Sequence, residues 1–359
     1  MMRSLHVIGG RKLGGAERFF VRLVNALHRR GHAVAAMTVA GGEIDAALDP
    51  CVPRHHAPMA GVWDLWSRLR IARAARGYDV VQTYMGRATR LTHLTKGRKP
   101  VHLARLGGYY GVEGYRHAHA WVGNTRGICT YLIEHGLPAE RVYYIGNFVD
   151  PAPILSAQQL ADLRCEQGIP LHAYVILGLG RLHPNKGFAD LLAAFARLPG
   201  QIDGRPLWLV MVGDGPLRAE LERLSHRLGI ATRVVWTGWQ YDPAPWYRLA
   251  DLFVCPSRHE PLGNVILEAW AHGVPVVSTA AAGPSELIEH GVDGWLVPLA
   301  DPQTLATTCL QILQWPDDVR AAAIAAGRRK LEQHFSEEAI VGAYLDLYER
   351  LCRQVQAAR

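Results

Sequence analysis

The chain alternates short apolar runs with amphipathic stretches and does so twice over, a pattern that restricts it to parallel sheets covered by helices. Residues 5–8 read as a strand, the glycine-rich stretch 9–15 as a loop, and 16–30 as a helix with Phe19, Phe20, Leu23, Val24 and Leu27 on one face. Gly31 stops that helix, and further strands are predicted at 33–39, 80–83 and 121–122. Pro151 and Pro153 bracket a linker-like segment around 147–155, after which the pattern restarts. Strands are then predicted at 174–177, 208–212, 234–237, 252–255 and 274–278, helices at 188–198, 217–228 and 265–272, and a last helix over 337–355. A length of 359 residues exceeds one ordinary core. Two doubly wound α/β halves of similar size are expected, with ligands at the carboxyl ends of their strands.

Hydrophobic residues make 49% and charged residues 20% of the chain, the balance of a soluble globular protein. The apolar run at residues 5–8 is too short for a signal-peptide core, and no window reaches the roughly 18 charge-free apolar residues of a spanning helix. The six cysteines are scattered without a Cys-x-x-Cys pair, so they read as reduced thiols of a cytoplasmic protein. Charge is unevenly placed, with 21 basic against 10 acidic side chains in residues 1–150 and 18 against 22 in the rest. The first half should therefore meet something anionic, such as a membrane surface or a phosphorylated acceptor. Nucleic acid is not expected, because the basic residues are not interleaved with aromatics in a reading motif.

Three stretches carry chemistry. In 258–275, RHEPLGNVILEAWAHGVP, Glu260 and Glu268 flank Gly263 and Asn264, with an apolar helix starting near Val265. A glycine at a helix start lets the backbone approach a phosphate, and a carboxylate on either side can accept from hydroxyls at both ends of a nucleotide sugar. The same residues also fit two solvated glutamates on an ordinary helix. In 178–187, GLGRLHPNKG, Arg181 and Lys186 sit beside glycines directly after a strand and can neutralise a leaving diphosphate. A surface turn with two solvated charges fits as well. The spacing is not Gly-x-Gly-x-x-Gly, which disfavours a dehydrogenase. Third, Gly14, Gly15, Ala16 and Glu17 close the first loop, either over a ligand or as a plain strand-to-helix turn. A basic stretch at 63–76, WDLWSRLRIARAAR, reads as a crossover helix with solvated cations or as a helix lying on an anionic bilayer.

The chain resembles the retaining glycosyltransferases of family 4. LHVIGGRKLGGAERFFVRLVNALHRRGH, GLGRLHPNKG, VMVGDGP, WTGW and EPLGNVILEAWAHGVPVV follow one another in that family's order along nearly the whole length. The resemblance implies the GT-B architecture: two Rossmann-like domains facing across a cleft, an acceptor-binding domain over 1–150 and a nucleotide-sugar-binding domain over 151–336. A C-terminal helix over 337–359 is expected to return to the first domain. It also implies that Arg181 and Lys186 hold the donor diphosphate and that Glu260 contacts the transferred sugar. Gly263, Asn264 and Val265 would supply backbone donors, and Glu268 would take the ribose hydroxyls. Gly15, Gly180, Gly213 and Gly238 fall on the donor side, with the turn after 236–238 near the base. Gly14, Arg105 and Tyr109 fall on the acceptor side. No Asp-x-Asp occurs, in keeping with a family that requires no metal or other cofactor. One departure concerns a first-domain histidine of the family, in whose region Arg105 or Leu106 stands here. Two further histidines of the preceding strand are replaced by Gln82 and Tyr84, and nearby His102, His117 and His119 read as packing or surface residues.

The implied activity is transfer of a hexose-type sugar to a glycan or glycolipid acceptor in lipopolysaccharide, capsule or similar polysaccharide biosynthesis. The protein would be cytoplasmic and peripheral on the inner face of the membrane. A nucleotide-sugar-binding module without transfer activity and a sugar-nucleotide epimerase remain as alternatives.

Overall fold

In the computed structural model, residues 2–357 are described, and the chain divides into two units. The first runs to Val149 and resumes at His334; the second spans Asp150–Gln333. The first unit holds a parallel sheet of β1 (Arg3–Ile8), β2 (Ala33–Thr38), β3 (Arg54–His56), β4 (Val80–Tyr84), β5 (Val101–Leu106), β6 (Ala120–Gly123) and β7 (Val142–Tyr144). Its order is β3-β2-β1-β4-β5-β6-β7. The second holds β8 (Tyr174–Leu179), β9 (Gln201–Ile202), β10 (Arg205–Val212), β11 (Val234–Gly238), β12 (Leu252–Cys255), β13 (Val276–Thr279) and β14 (Trp295–Val297). Here the order is β11-β10-β8-β12-β13-β14, all parallel, with the short β9 antiparallel on β10.

Each sheet changes direction once, between β1 and β4 in the first and between β8 and β12 in the second. At such a reversal the loops leaving neighbouring strands diverge to opposite faces and open a crevice at the carboxyl edge, where ligands bind in this class of fold. The predicted core strands are present with small changes at their ends. Strands β3, β5, β7, β9 and β14 are additional to those expected, as are the helices Pro302–Gln314 and Asp317–His334 and several shorter ones such as Arg126–Glu134, Ala157–Glu166 and Ala244–Leu249. The short β3 is polar (Arg54, His55, His56) and β14 has only three residues, so neither carries a periodic signal.

The helix Glu337–Ala357 packs within the first unit, as expected for the returning C-terminal helix. Ile340, Val341, Tyr344, Leu347, Tyr348 and Leu351 recur at helical spacing and are buried in one cluster with Phe19, Phe20, Leu23 and Leu27 of the helix Gly15–Arg29. Gln82 and Tyr84 of β4 join a buried polar network with this helix. Tyr348 Oη donates to Gln82 Oε1 at 2.6 Å, Gln82 Nε2 donates to Tyr84 Oη at 2.7 Å, and Tyr84 Oη pairs with His6 Nδ1 at 2.8 Å. Burial, and secondarily the neighbouring His32, pushes the His6 imidazole down to about 3, so this network is neutral at physiological pH.

Removing the Tyr348 hydroxyl leaves Gln82 Oε1, in a fully buried residue, without that donor. Tyr348→Phe should therefore cost about 1–3 kcal/mol, read as a lowered midpoint in thermal unfolding; an unchanged midpoint would contradict the network.

Candidate functional site

The crevice of the second sheet is built from the two loops that leave β8 and β12. The β8 loop runs through Gly180, Arg181 and a single 3-10 turn, Pro184–Lys186, before the helix Phe188–Phe195. The β12 loop runs through Ser257 and Glu260 to the helix Asn264–His272. Backbone hydrogen bonds tie the two together, since Arg258 N and His259 N both donate to Asn185 O, at 2.8 and 3.1 Å. The Arg258 guanidinium also donates twice to the Asp190 carboxylate, each at 2.8 Å, which ties the β12 loop to the helix following the β8 loop. Gly187 sits at the tightest point with φ +62°, where a Cβ would stand 2.0 Å from Pro256 O. Only glycine fits there.

This zippering brings Lys186 and Glu260 together. Lys186 Nζ donates to Glu260 Oε2 at 2.5 Å, and Ser257 Oγ donates to the same oxygen at 3.3 Å. The Glu260 residue is only 9% exposed. Burial alone would lower the Lys186 pKa, but the attraction of Glu260, assisted by Cys255 and the hydrogen bond, outweighs it and the pKa rises. Lys186 is thus a firmly held cation. Burial, then the nearby Glu260 charge, pushes the Cys255 thiol up, so it stays a thiol. Arg181 differs: it is exposed and makes no ion pair among the described residues.

Beyond Glu260 the helix Asn264–His272 begins at Gly263, which has φ +102° and no side-chain cap. The first N–H groups of any helix lack intrahelical acceptors, and they carry the positive end of its dipole. Gly263, Asn264 and Val265 therefore bring the positive end of this helix within a few residues of Glu260 in the chain. Glu268 lies one turn further along the same helix, and its Oε2 accepts from Tyr247 Oη at 3.1 Å. That hydroxyl also reaches Val265 O at 3.2 Å, and the ring of His272 stacks on Tyr247 with centroids 5.0 Å apart. Tyr247 thus orients Glu268, a role the sequence reading missed. Its helix, Ala244–Leu249, shows only apolar burial in sequence, and nothing in that pattern marks a hydroxyl aimed at a carboxylate 21 residues on.

Gly180, Gly213 and Gly238 form a connected row at the carboxyl edge. Gly180 N donates to Val212 O at 3.0 Å, and Gly213 N donates to Gly238 O at 2.9 Å. Just beyond β11, Trp239 and Tyr241 are exposed.

The remaining predicted residues belong to the first unit. Gly14 caps the helix that Gly15 begins. The Glu17 carboxyl folds back over Gly14, where a Cβ would come within 2.7 Å of Glu17 Oε2. Burial raises the Glu17 pKa against the opposing pull of backbone hydrogen bonds from its own and the Gly14 amide. Arg105, at the end of β5, is 2% exposed and lies over the Phe19 ring at 4.1 Å. It donates to Tyr344 Oη at 3.2 Å and to Asn147 Oδ1, so its guanidinium is engaged inside the unit. Tyr109 packs its ring on Tyr131, centroids 5.4 Å apart. His102 pairs with Thr83 Oγ1 at 3.0 Å, His119 Nδ1 accepts from His102 N at 3.0 Å, and His117 reaches Thr89 O at 2.8 Å. All three are packing residues; His117 and His119 are bonded to main-chain groups, while the buried Nδ1 of His102 has no partner among the described residues. Among the described residues, one three-ligand cluster has metal-binding spacing: His28, Asp49 and Cys51, which includes none of the residues above.

Two sequence families match the chain in tandem. Glycosyltransferase Family 4 covers residues 13–153, and Glycosyl transferases group 1 covers residues 173–314. The lipopolysaccharide core biosynthesis glycosyltransferase LpsE of Rhizobium meliloti (strain 1021) is 35% identical over 94% of this chain and 96% of that protein. LpsD of the same organism, with the same printed role, is 35% identical over 97% of this chain and 98% of its own length. Among solved structures, HepE of Anabaena in complex with UDP and glucose superposes with a TM-score of 0.83 at 23% identity, covering 98% of this chain and 100% of that one. That likeness shows the fold.

Gly187→Ala should destabilise the second unit by about 2–4 kcal/mol, from the left-handed backbone and the collision with Pro256 together. Gly204→Ala, at φ +76° with nothing within 4 Å, should cost only the backbone part, about 1–2 kcal/mol. Equal shifts of the two unfolding midpoints would contradict the packing described.

Proposed function

The chain belongs to the family 4 glycosyltransferases, and from that premise we propose that it moves a hexose-type sugar from a nucleotide diphosphate onto a glycan or glycolipid acceptor. The full-length likeness to two lipopolysaccharide core glycosyltransferases supports an acceptor of that kind, built into a surface polysaccharide. The observation that carries the reading is the Lys186–Glu260 pair beside the uncapped start of the helix Asn264–His272, at the reversal of the second sheet.

Negative charge grows on the leaving β-phosphate as the bond to the sugar breaks. Arg181, Lys186 and the N–H groups at Asn264 and Val265 are the positive groups that meet it. In this mechanism Lys186 exchanges its Glu260 contact for a phosphate oxygen, and Glu260 turns to accept from a sugar hydroxyl. The pair then serves two ends of the donor in place of each other. Glu268, oriented by Tyr247, takes the ribose hydroxyls, and the aromatic pair Trp239 and Tyr241 meets the base. Gly14 and Gly15 close on the phosphate and acceptor side, with Arg105 and Tyr109 framing the acceptor part of the first unit. The positive charge comes from the protein itself, so no metal is required.

Retention of configuration is proposed from membership of family 4. A double-displacement mechanism needs a carboxylate nucleophile in place of the leaving group. With Glu260 on sugar hydroxyls and Glu268 on ribose, neither is assigned that role, and the family's usual mechanism is adopted, in which the acceptor oxygen attacks from the face the diphosphate leaves. The bond from the anomeric carbon to the diphosphate breaks, the bond to the acceptor oxygen forms, and a diphosphate oxygen takes the acceptor proton. The basic first half suits an anionic, membrane-anchored acceptor and a peripheral position on the cytoplasmic face.

Lys186→Ala removes a charge-assisted bond to the leaving group, worth about 1.5–3 kcal/mol, and should lower turnover by about 10- to 100-fold or more. Turnover close to wild type would count heavily against the assignment. A thermal-shift panel of UDP, GDP and ADP sugars should show stabilisation only with the matched base, by RT ln(1 + [L]/Kd). Nucleoside diphosphate release that depends on added lipid acceptor separates transfer from simple binding. A changed sugar in the absence of acceptor would mean epimerisation instead.

A further inference from the structure

The crossover helix Leu65–Ala75 between β3 and β4 buries Ser67, Ile71 and Ala75 against the first sheet. Its opposite side is unusual for a solvated face. Trp66, Leu69, Arg70 and Arg73 follow one another at three-, four- and seven-residue spacing, so they share one stripe. Trp66 is 67% and Leu69 62% exposed, and Trp63 just before the helix is 84% exposed. Two tryptophans and a leucine are thus held in water on one short segment, without a partner among the described residues.

Beneath the carboxyl half of the same helix lies a cavity of about 580 Å³, walled by Arg3, Arg70, Arg73, His55, His56 and Tyr78 among others. No carboxylate lines it. The carboxylates that touch its walls are already engaged. Asp45 accepts from Thr38 Oγ1 at 2.7 Å and pairs with His56 at 3.1 Å, and Asp79 accepts from Arg3 N at 2.9 Å and Lys99 Nζ at 3.0 Å. His55 Nε2 and Tyr78 Oη face each other at 3.0 Å, and Arg70 Nη1 donates to His56 O at 3.0 Å. Neither Arg70 nor Arg73 is paired with a carboxylate among the described residues. The cavity therefore offers guanidinium donors, two imidazoles and a hydroxyl with a net positive charge, which is the donor set for a phosphate group.

We propose that this cavity takes the phosphate of an anionic phospholipid headgroup, while Trp63, Trp66 and Leu69 enter the bilayer interface beside it. The exposed aromatic stripe and the phosphate donors are separate features that meet on one helix. A soluble phosphate compound would account for the arginines but leaves the exposed tryptophans unexplained, whereas a lipid surface accounts for both. The inference deepens the reading of a peripheral enzyme with a membrane-anchored acceptor and rests on that reading for its purpose, but its residues are separate from every residue assigned to the donor.

The test is co-sedimentation of the full chain with vesicles of phosphatidylcholine alone and of phosphatidylcholine with phosphatidylglycerol. Wild type should bind the anionic vesicles, with a blue shift of tryptophan emission, and should not bind the neutral ones. Each interfacial cation contributes about fivefold in affinity, so a double Arg70→Glu, Arg73→Glu variant should lose at least about 20-fold. A double Trp63→Ser, Trp66→Ser variant should lose both binding and the blue shift. Both variants should keep the thermal shift given by the nucleotide sugar, which reports an intact fold and donor site. Wild-type affinity in the arginine variant, or no binding of anionic vesicles by wild type, overturns the proposal. So does stabilisation by inorganic phosphate in the absence of any vesicle binding, which would assign the cavity to a soluble phosphate. Failure of the nucleotide-sugar shift in wild type would instead strike the transferase reading and leave the vesicle result standing.

Discussion

The second unit is organised by one ion pair. A lysine ammonium and a nearly buried carboxylate are each costly to hold alone in a protein interior, and each makes the other tolerable. Lys186 and Glu260 come from loops separated by 74 residues, and they meet because β8 and β12 are neighbours at the point where the sheet changes direction. Everything around the pair keeps those loops in register: the two amides on Asn185 O, the double bond from Arg258 to Asp190, and the glycine at 187 that admits Pro256 O. The same constraint places the uncapped start of the helix Asn264–His272 close to the pair in the chain, so positive backbone and positive side chain are drawn to one edge. A ligand bearing both a diphosphate and hydroxyls can satisfy lysine and glutamate separately. A simple anion would satisfy the lysine and strand the glutamate.

The backbone plan was largely legible from the sequence, because strands buried on both faces give continuous apolar runs such as those of β8, β10 and β12. What escaped was whatever lacks that signature. The polar β3 at the sheet edge, the three-residue β14 and the weakly amphipathic helix Asp317–His334 are held by neighbours and not by their own pattern. The site divides in the same way. Glu260, Gly263 and Lys186 stand in glycine-rich loops, where the residue types themselves announce close backbone approach. Tyr247 and Ser257 act through single hydroxyls in otherwise apolar or loop sequence, and only the packing shows where those hydroxyls point.

One polar network ties the first sheet to the C-terminal helix. Gln82 joins Tyr348 of that helix to Tyr84, and Tyr84 pairs in turn with His6. Arg105 is held by Tyr344 of the same helix and by Asn147. Side chains from neighbouring strands thus converge on one partner element. The nearby His102, His117 and His119 take no part in it; they bond to threonine and backbone groups, and the buried Nδ1 of His102 has no partner among the described residues.

Net charge and local charge part company in this chain. The half with excess acidic residues, 22 against 18 basic, is the one proposed to hold a diphosphate, while the half with 21 basic against 10 acidic carries the cavity under the crossover helix. No contradiction arises, because at physiological ionic strength a surface charge is felt over only about 8 Å. A tightly bound anion responds to the few donors aimed at it: one lysine, one arginine and the tip of a helix. A membrane is different, since it presents charge over the whole area of contact and so sums many surface cations at once. The basic excess of the first half is thus suited to an extended partner, and the oriented groups of the second half to a small one.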